Sequence, residues 1–357
     1  MTIVRKNPKT VIPVPPEAGG ILVNKSGSKQ TNNPFAFAPL GSFFVIARSM
    51  ATKQSRLIFK GGFYLFALTF LLLLTSLSQA SEVFILKSSN LEAYNEVVAG
   101  FQEIFPATKV ASLTEDPAKN EALVEQLRQF KPAAILAIGA PAASLLREKA
   151  KEIPIIYCMI SDPGRYDLSG SNVSGVLLKI RPQDQLQMFK KALPFVRRIG
   201  VLYNPETSGE AIAEARAVAK DLNLLLIEKK VTHQSEIADS LSEMIWGVDA
   251  IWMIPDPTVV SKESFQYILE SSISRRLPLF TFSDVFVRRG ALLALAPDYT
   301  RIGHQAGELA QKIMQGQSPA GAPPVYAQGS LVINRHTAET LNIPLNSEIL
   351  KTAAKVY

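Results

Sequence analysis

The chain has little of the chemistry on which metal and thiol sites depend. Its 357 residues include one cysteine and three histidines. Cys158 cannot form an internal disulfide, and its place in the apolar run 153–160 favours a buried small side chain over a reactive thiol. His233, His304 and His336 are not at metal-ligand spacing from Cys, acid or one another. We therefore expect no metal site.

Motifs for nucleotide binding and covalent catalysis are also absent from the sequence. No GxxxxGK[ST] or GxGxxG segment follows a predicted strand, so the backbone cradle for nucleotide phosphates is missing. No GxSxG nucleophile elbow occurs, and residues 169–175, which resemble one superficially, fit loop and strand better. We predict a protein that is not an enzyme and holds no cofactor. A hydrolase that uses paired carboxylates in a cleft is the enzymatic alternative.

The positive charge is concentrated at the amino terminus. Residues 1–80 hold nine Lys and Arg but a single acid, Glu17, although the whole chain has 38 bases and 31 acids. The remaining residues are therefore nearly neutral, which argues against nucleic acid or a polyphosphate as the ligand. With 47% hydrophobic residues the chain has enough apolar material for one large core or two ordinary ones.

An export signal is predicted over residues 50–80. Met50 is followed by three basic residues, by the apolar run 63–77 and by Ser78–Gln79–Ala80, whose small residues fit signal peptidase. The apolar run is shorter than the roughly 20 residues of a spanning helix. We predict cleavage after Ala80 and a periplasmic or other extracytoplasmic location, with an uncleaved anchor as the alternative. Residues 1–49 lack a folding pattern, and we expect a non-native or disordered extension, with Met50 as the true start.

From residue 81 onward, short apolar strands alternate with amphipathic helices. The first block opens with a strand at 83–86, and the pattern begins again at 198–203, after a helix that ends before Pro194. Such alternation is typical of parallel sheets covered by helices on both faces. Two consecutive blocks predict two α/β lobes with a binding cleft between them.

The loops that follow the predicted strands are small or polar, which places a candidate site there. Asp162, Asp256, Asp284 and Asp298 are either turn and helix caps or partners for the ammonium group of a ligand. Helix amino termini near them favour the negative end of the same ligand, so an amino acid is the simplest candidate. The aromatic side chains near these loops either stack on the ligand or pack between the lobes. They are Tyr94, Tyr157 and Tyr203.

Several segments, in order, resemble the ABC transporter substrate-binding protein family that includes tryptophan- and tyrosine-type receptors. They are ISDP at 160–163, NVSGV at 172–176, RIGVLYNPE at 198–206, TVVS at 258–261, RGALLA at 289–294, the helical stretch 298–316 and LVIN at 331–334. The resemblance covers nearly all of 81–357. It implies a type I periplasmic binding protein fold, in which two Rossmann-like lobes are joined by three chain crossings. Lobe 1 would comprise 81–181 plus 285–318, and lobe 2 would comprise 182–284 plus 319–357.

The resemblance also implies which residues contact the ligand, and Tyr94 is added because it lies beside the first loop. The candidate residues are Ser88, Ser89, Tyr94, Gly139, Ala140, Ser161, Asp162, Tyr203, Asn204, Asp256, Asp284 and Asp298. Two loops depart from the family pattern. Residues 87–90 replace a segment that contains His-Pro in many members, and 139–141 replace a loop that often has Thr or Ser. The ligand is therefore the feature least transferable from the family.

The function expected from these observations is capture of a small molecule between two lobes and its delivery to an ABC permease with its ATPase. The receptor is expected to be a monomer that binds no nucleic acid. A sensory binding protein that reports to a membrane kinase is the alternative, since its fold would be the same. A transcription regulator of related fold would need an amino-terminal helix-turn-helix where the export signal stands.

Overall fold

The computed structural model describes residues 83–319 and 323–357. The expectations for 1–49, for the export signal at 50–80 and for cleavage after Ala80 lie outside these residues. Within the described part of the chain, no helix is both long enough and apolar enough to cross a membrane.

The described chain alternates strands with helices. The strands are β1 (Val83–Lys87), β2 (Lys109–Ser112), β3 (Ala134–Ile138), β4 (Ile155–Ile160), β5 (Val173–Leu177), β6 (Arg198–Tyr203), β7 (Leu225–Lys230), β8 (Ala250–Trp252), β9 (Leu279–Thr281), β10 (Leu293–Pro297), β11 (Val325–Tyr326), β12 (Gly329–Ile333) and β13 (Lys355–Val356). The α-helices are α1 (Glu92–Gln102), α2 (Pro117–Phe130), α3 (Ala140–Lys149), α4 (Pro182–Ala192), α5 (Pro205–Asp221), α6 (Ile237–Met244), α7 (Lys262–Ser274), α8 (Asp284–Arg288), α9 (Tyr299–Met314), α10 (Arg335–Leu341) and α11 (Ser347–Thr352).

The strands form two sheets, which with their helices are the two predicted α/β lobes. The first sheet has the order β11-β5-β4-β3-β1-β2 and is parallel throughout. The second has the order β13-β12-β10-β9-β8-β6-β7, and its one antiparallel pair is β10 with β12. The predicted α/β class with parallel sheets is therefore confirmed.

Strand β3 shows why the apolar runs fold as strands at the centre of a lobe. All five residues are buried, and they alternate between two cores. Leu136 and Ile138 pack in the core beneath α1 and α9, whereas Ile135 and Ala137 pack in the core beneath α2 and α3. A parallel strand covered on both faces requires apolar residues at every position, which the sequence 134–138 supplies.

The chain passes between the two sheets three times. It leaves the first sheet after β5, returns to it after β10 and leaves it again after β11. The three connecting segments are hydrogen-bonded to one another. Ala327 N–H donates to the carbonyl oxygens of Leu177 and Lys179 at 3.1 and 3.0 Å, and Asp298 N–H donates to that of Gln328 at 3.2 Å.

Two of the expected lobe boundaries are corrected by the strand pairing. Residues 285–297, expected in lobe 1, belong to the second lobe, because Leu293 pairs with Phe280 in β9 and β10 also pairs with β12. Residues 323–327, expected in lobe 2, belong to the first, because Val325 pairs with Val176 in β5. The apolar run 291–296 is buried in the second lobe. The chain crosses to the first lobe only after this run, at Asp298, which caps α9.

Helices α1 and α9 approach closely enough for their backbones to touch. A Cβ atom at Gly303 of α9 would fall far inside van der Waals contact of the Val97 carbonyl oxygen. A Cβ atom at Gly100 of α1 would collide in the same way with the carbonyl oxygen of Thr300. Glycine is therefore required at both positions for steric reasons, and this contact holds α9 on the first lobe.

Candidate functional site

The carboxyl ends of β1, β3 and β4 bring several predicted residues to one edge of the first sheet. The strand order places β3 between β1 and β4, so Ser88, Gly139 and Ser161 follow neighbouring strands. Backbone hydrogen bonds join the loops, since Ser88 N–H donates to Ile138 O at 2.9 Å and Gly139 N–H donates to Cys158 O at 3.0 Å. Ser161 is exposed at this edge.

Ser88, Tyr94 and Gly139 form a tight cradle at the amino terminus of α3. Gly139 has a φ of 89°, and a Cβ atom there would lie 2.6 Å from Tyr94 Oη and 2.8 Å from Ser88 Oγ. Ser88 Oγ accepts a hydrogen bond from the N–H of Ala142 at 3.0 Å. Only glycine allows the backbone to come this close to both hydroxyl groups at a positive φ. The half-buried Ala140 is the first residue of the helix.

The groups behind the cradle are held in their neutral forms. Burial raises the pKa of Tyr94, with a second contribution from Cys158, so the hydroxyl remains a hydrogen-bond donor. Cys158 is fully buried, and burial raises the pKa of its thiol far above the ordinary range. A buried thiol of this kind is unreactive, which confirms the expectation of a small core side chain. Ser89 is half-buried in the loop after Ser88.

Asp162 stands apart from the other three acids, because among the described residues its carboxylate has no hydrogen-bond or ion-pair partner. It is exposed after β4, whose end is irregular. Met159 takes a left-handed conformation with a φ of 60°, and the pairing of β4 with β5 shifts register between Tyr157 and Ile160. The expected turn or cap role is thus not seen for this side chain, which is free to meet a ligand.

Asp256 is occupied entirely by its own lobe. It is 0% exposed, and its carboxylate accepts from the N–H groups of Asn204, Thr258 and Val259 at 2.9, 2.8 and 3.2 Å and from the Thr207 hydroxyl at 3.0 Å. These contacts join the loop after β8 to the loop after β6. The sequence allowed either a structural role in a turn or cap, or a contact with a ligand. The structural role accounts for all of these hydrogen bonds.

Asn204 and Tyr203 are also used within the second lobe. Asn204 Oδ1 accepts from Glu206 N–H at 3.0 Å and so caps α5, and Asn204 Nδ2 donates to the Thr258 hydroxyl at 2.9 Å. The buried Tyr203 donates its hydroxyl proton to Glu228 at 3.1 Å. Burial raises the pKa of Tyr203, and the hydrogen bond to Glu228 adds to the shift.

Asp298 and Tyr157 likewise have structural surroundings. Asp298 caps α9 by accepting from Arg301 N–H at 3.0 Å, and it also accepts from the Ser330 hydroxyl at 2.5 Å. Tyr157 is 1% exposed and packs in the core beneath α3, where burial raises its pKa to about 12. Tyr157 therefore packs inside the first lobe, and the predicted packing between the lobes is wrong for this residue.

Asp284, the first residue of α8, is held by the carboxyl-terminal strand. Its carboxylate accepts from Lys355 Nζ at 2.9 Å, from the Tyr357 hydroxyl at 2.7 Å and from Arg288 at 3.2 Å. Burial alone would raise the pKa of Asp284, but the hydrogen bonds from Lys355, Tyr357 and Arg288 outweigh it and hold the pKa at about 2. The carboxylate therefore ties β13 to α8.

We expect Asp284 to make stability depend on pH in the acid range. Because its pKa is lower in the folded chain than the ordinary value of 3.8, its contribution is present above about pH 4 and is lost as the pH falls toward 2. Since its partners are exposed, we expect about 1–2 kcal/mol at neutral pH. Urea unfolding of the wild type and Asp284→Asn at a series of pH values measures this, and their difference must shrink on acidification. A difference that stays constant would contradict the assignment.

One charged residue at this edge was missed by sequence reasoning. Lys87, the last residue of β1, is only 8% exposed, although lysine at the end of a strand is ordinarily solvated. The sequence feature that could have indicated this burial is the position of Lys87, directly after a run of apolar residues and directly before Ser88.

Comparison with known proteins places these features in one family. Residues 87–357 match the family described as ABC transporter substrate binding protein. A tyrosine-binding protein of Clostridioides difficile (strain R20291) is 26% identical over 237 residues, which are 64% of this chain and 68% of the relative.

Two solved structures share the two-lobed fold. The first is an ABC domain in complex with L-Trp from Streptococcus pneumoniae, which is 26% identical, covers 78% of this chain and 99% of its own, and has a TM-score of 0.51. The second is a substrate-binding protein with adhesive properties from Clostridium difficile in its ligand-free, open form, which is 21% identical with the same two coverages and a TM-score of 0.63. The fold is that of type I periplasmic binding proteins, as the resemblance implied. The protein belongs to the ABC transporter substrate-binding protein family, whose members are solute receptors.

Proposed function

We propose that the protein captures an amino acid with an aromatic side chain and delivers it to an ABC permease. The observation that carries the proposal is the edge of the first sheet, where the unpartnered carboxylate of Asp162 and the cradle at the amino terminus of α3 lie on neighbouring strands. A free acid at one point and a helix amino terminus at another match the two charges of an amino acid. The tyrosine-binding relative and the L-Trp complex support the aromatic side chain.

The cradle leaves a specific donor for the ligand carboxylate. In the first turn of α3, Pro141 has no N–H, and the N–H of Ala142 is bound by Ser88. Within residues 83–319 and 323–357 the N–H of Ala140 has no such partner, so it can donate to a carboxylate at the positive end of the helix dipole. The Tyr94 hydroxyl, which stays protonated, is a second donor beside it.

The second lobe contributes differently. Its predicted polar residues, Asn204, Asp256 and Asp284, are bound to groups of their own lobe. We infer that the ligand meets the first lobe first and that the second lobe closes over it mainly by surface contact. Contacts that both lobes make only in the closed state would convert binding energy into closure, and the permease would recognise that state.

Family membership implies a small-molecule ligand and an ABC permease as partner, and receptors of this family work outside the cytoplasm. We further propose that the export signal at 50–80 is cleaved after Ala80, that the permease works with an ATPase, that the receptor is a monomer and that it catalyses no reaction. The comparisons with tyrosine- and tryptophan-type proteins do not favour the sensory alternative.

We expect Asp162→Asn to weaken binding of the amino acid about 10- to 100-fold, because a neutral amide replaces a charge-assisted hydrogen bond to the ligand ammonium. Calorimetric titration of residues 81–357 with L-tyrosine, L-tryptophan and the other common amino acids provides the measurement. The matched control is Asp221→Asn, which removes the same charge from an exposed site in the second lobe. Equal affinity in Asp162→Asn and the control would refute the role of Asp162, and a wild type that binds no amino acid would refute the proposed ligand.

A further inference from the structure

Lys87 is a buried cation without a carboxylate partner. Its Nζ donates to two amide oxygens, Asn90 Oδ1 at 2.9 Å and Asn95 Oδ1 at 2.8 Å. No acid in residues 83–319 or 323–357 forms an ion pair with it, although exposed lysines such as Lys149 and Lys355 have carboxylate partners. An ammonium group has three N–H donors, so one remains after the two amides. Burial of an unpaired charge is unfavourable and needs an explanation.

The two asparagines explain how the ammonium group is positioned, but they do not explain why a positively charged residue stands at this buried position. Asn90 follows the strand and Asn95 lies in α1, so together they fix Nζ beneath the amino-terminal part of that helix. Because both are neutral, they hold the ammonium without cancelling its charge. An aspartate at either position would hold it as well and would remove the cost of the unpaired charge. The arrangement keeps a fixed positive charge available.

The place of Lys87 connects this charge to the candidate site. The next residue is Ser88, whose hydroxyl belongs to the cradle at α3, and the neighbour of Asn95 is Tyr94, whose hydroxyl belongs to it as well. Asp162 follows β4, two strands away at the same edge of the sheet, a separation of roughly 10 Å from the spacing of strands. Among the described residues, one cation and one acid without an ion-pair partner therefore lie at the ends of strands at the same edge of the sheet as the cradle.

We propose that Lys87 binds the ligand's carboxylate. The inference rests on the proposed function and deepens it, because it names a singly charged carboxylate as the group that the first lobe recognises. The Lys87 ammonium supplies the charge, while the Ala140 N–H and the Tyr94 hydroxyl supply hydrogen bonds. A single cation matches one negative charge, which fits an amino acid and does not fit a ligand with several phosphates.

Two variants separate this role from a structural one. Lys87→Met removes the charge and keeps the length of the side chain, whereas Asn95→Asp keeps Lys87 and gives it the missing carboxylate partner. If Lys87 only joins β1 to α1, Asn95→Asp strengthens that connection and leaves ligand binding unchanged. If Lys87 receives the ligand carboxylate, both variants weaken binding, because the positive charge is absent in one and neutralised in the other.

The readout compares each ligand with its analogue that lacks the carboxylate. In the wild type we expect L-tyrosine to bind far more tightly than tyramine in calorimetric titrations. In Lys87→Met and in Asn95→Asp we expect the ratio of the two affinities to fall about 10-fold or more, since only the carboxylate contact is lost. An unchanged ratio in either variant would overturn the proposal. Without ligand, Asn95→Asp should unfold at the same or a higher temperature than the wild type.

A second arm tests Lys87 even if the ligand is not an amino acid. We expect about 100 mM sodium acetate to raise the Tm of the wild type by roughly 1–2 °C relative to sodium chloride at equal ionic strength, and acetamide to have no such effect. Neither variant should respond to acetate. A wild type that binds no amino acid but shows this difference would contradict the proposed ligand and support the anion site. The same acetate response in all three proteins, or none in the wild type, would overturn the inference.

Discussion

Gly303→Ala is expected to destabilise the protein by about 3 kcal/mol or more, because the new Cβ would penetrate the carbonyl oxygen of Val97. The obstacle is helix backbone and not the end of a flexible side chain, so relief requires α9 to move away from α1. That movement would loosen the core that contains Phe101 and Ile302. Thermal or urea unfolding of residues 81–357 measures the loss.

The control for this prediction is Gly209→Ala in α5. Apart from its chain neighbours and the backbone of its own helix, no atom lies within 4 Å of the position of its Cβ, and Gly209 is in the interior of a helix. Alanine favours helix over glycine, so we expect this variant to be more stable than the wild type by about 0.5–1 kcal/mol. The same substitution thus has opposite signs at the two sites. A Gly303→Ala protein as stable as the wild type would contradict the backbone contact between α1 and α9.

Asp256→Ala is expected to cost about 3–5 kcal/mol of unfolding free energy. The carboxylate accepts four hydrogen bonds in a fully buried site, and its removal leaves the N–H groups of Asn204 and Thr258 without an acceptor, whereas Val259 N–H keeps the carbonyl oxygen of residue 256. Unfolding in urea provides the measurement. Asp239→Asn, at an exposed position on α6, is the control, and we expect a change within about 0.5 kcal/mol for it.

The same variant decides between the two interpretations of Asp256 that its sequence allows. If the residue bound the ligand's ammonium, Asp256→Ala would lose affinity for the ligand while its stability changed little. The structural role predicts instead that Asp256→Ala greatly lowers the free energy of unfolding, whether or not the ligand binds. A protein that remains as stable as the wild type after Asp256→Ala would show that the buried network carries little of the stability of this lobe.

The sequence was sufficient for the elements whose periodicity reflects burial. β3 is an example, because a strand covered on both faces has apolar residues throughout, as 134–138 does. The assignment of residues 285–297 to the second lobe was not predictable in this way. An apolar strand such as β10 fits either sheet equally well, and only its pairing with β9 and β12 assigns it to the second.

The four aspartates show how far the candidate site could be predicted from the sequence. Asp162 and Asp256 both precede proline in the sequence, and turn chemistry predicts the same for each. They differ because Asp256 is surrounded by donors from a second loop, Asn204 and Thr207, which are far away in sequence. Asp162 is exposed, and among the described residues its carboxylate has no hydrogen-bond or ion-pair partner. Lys87 was missed for the same reason, since its partners Asn90 and Asn95 become visible only when α1 folds over the end of β1.

The three connecting segments between the lobes have a mechanical consequence. The first and third are joined by the bonds of Ala327 N–H to Leu177 and Lys179, and the second and third by the bond from Asp298 to Gln328. Three connecting segments that are hydrogen-bonded side by side can bend together about one line that crosses all three. A twist of one segment against the others would break these hydrogen bonds. We therefore expect relative motion of the lobes to favour rotation about that line, which would bring the same loops of the two lobes together at each closure.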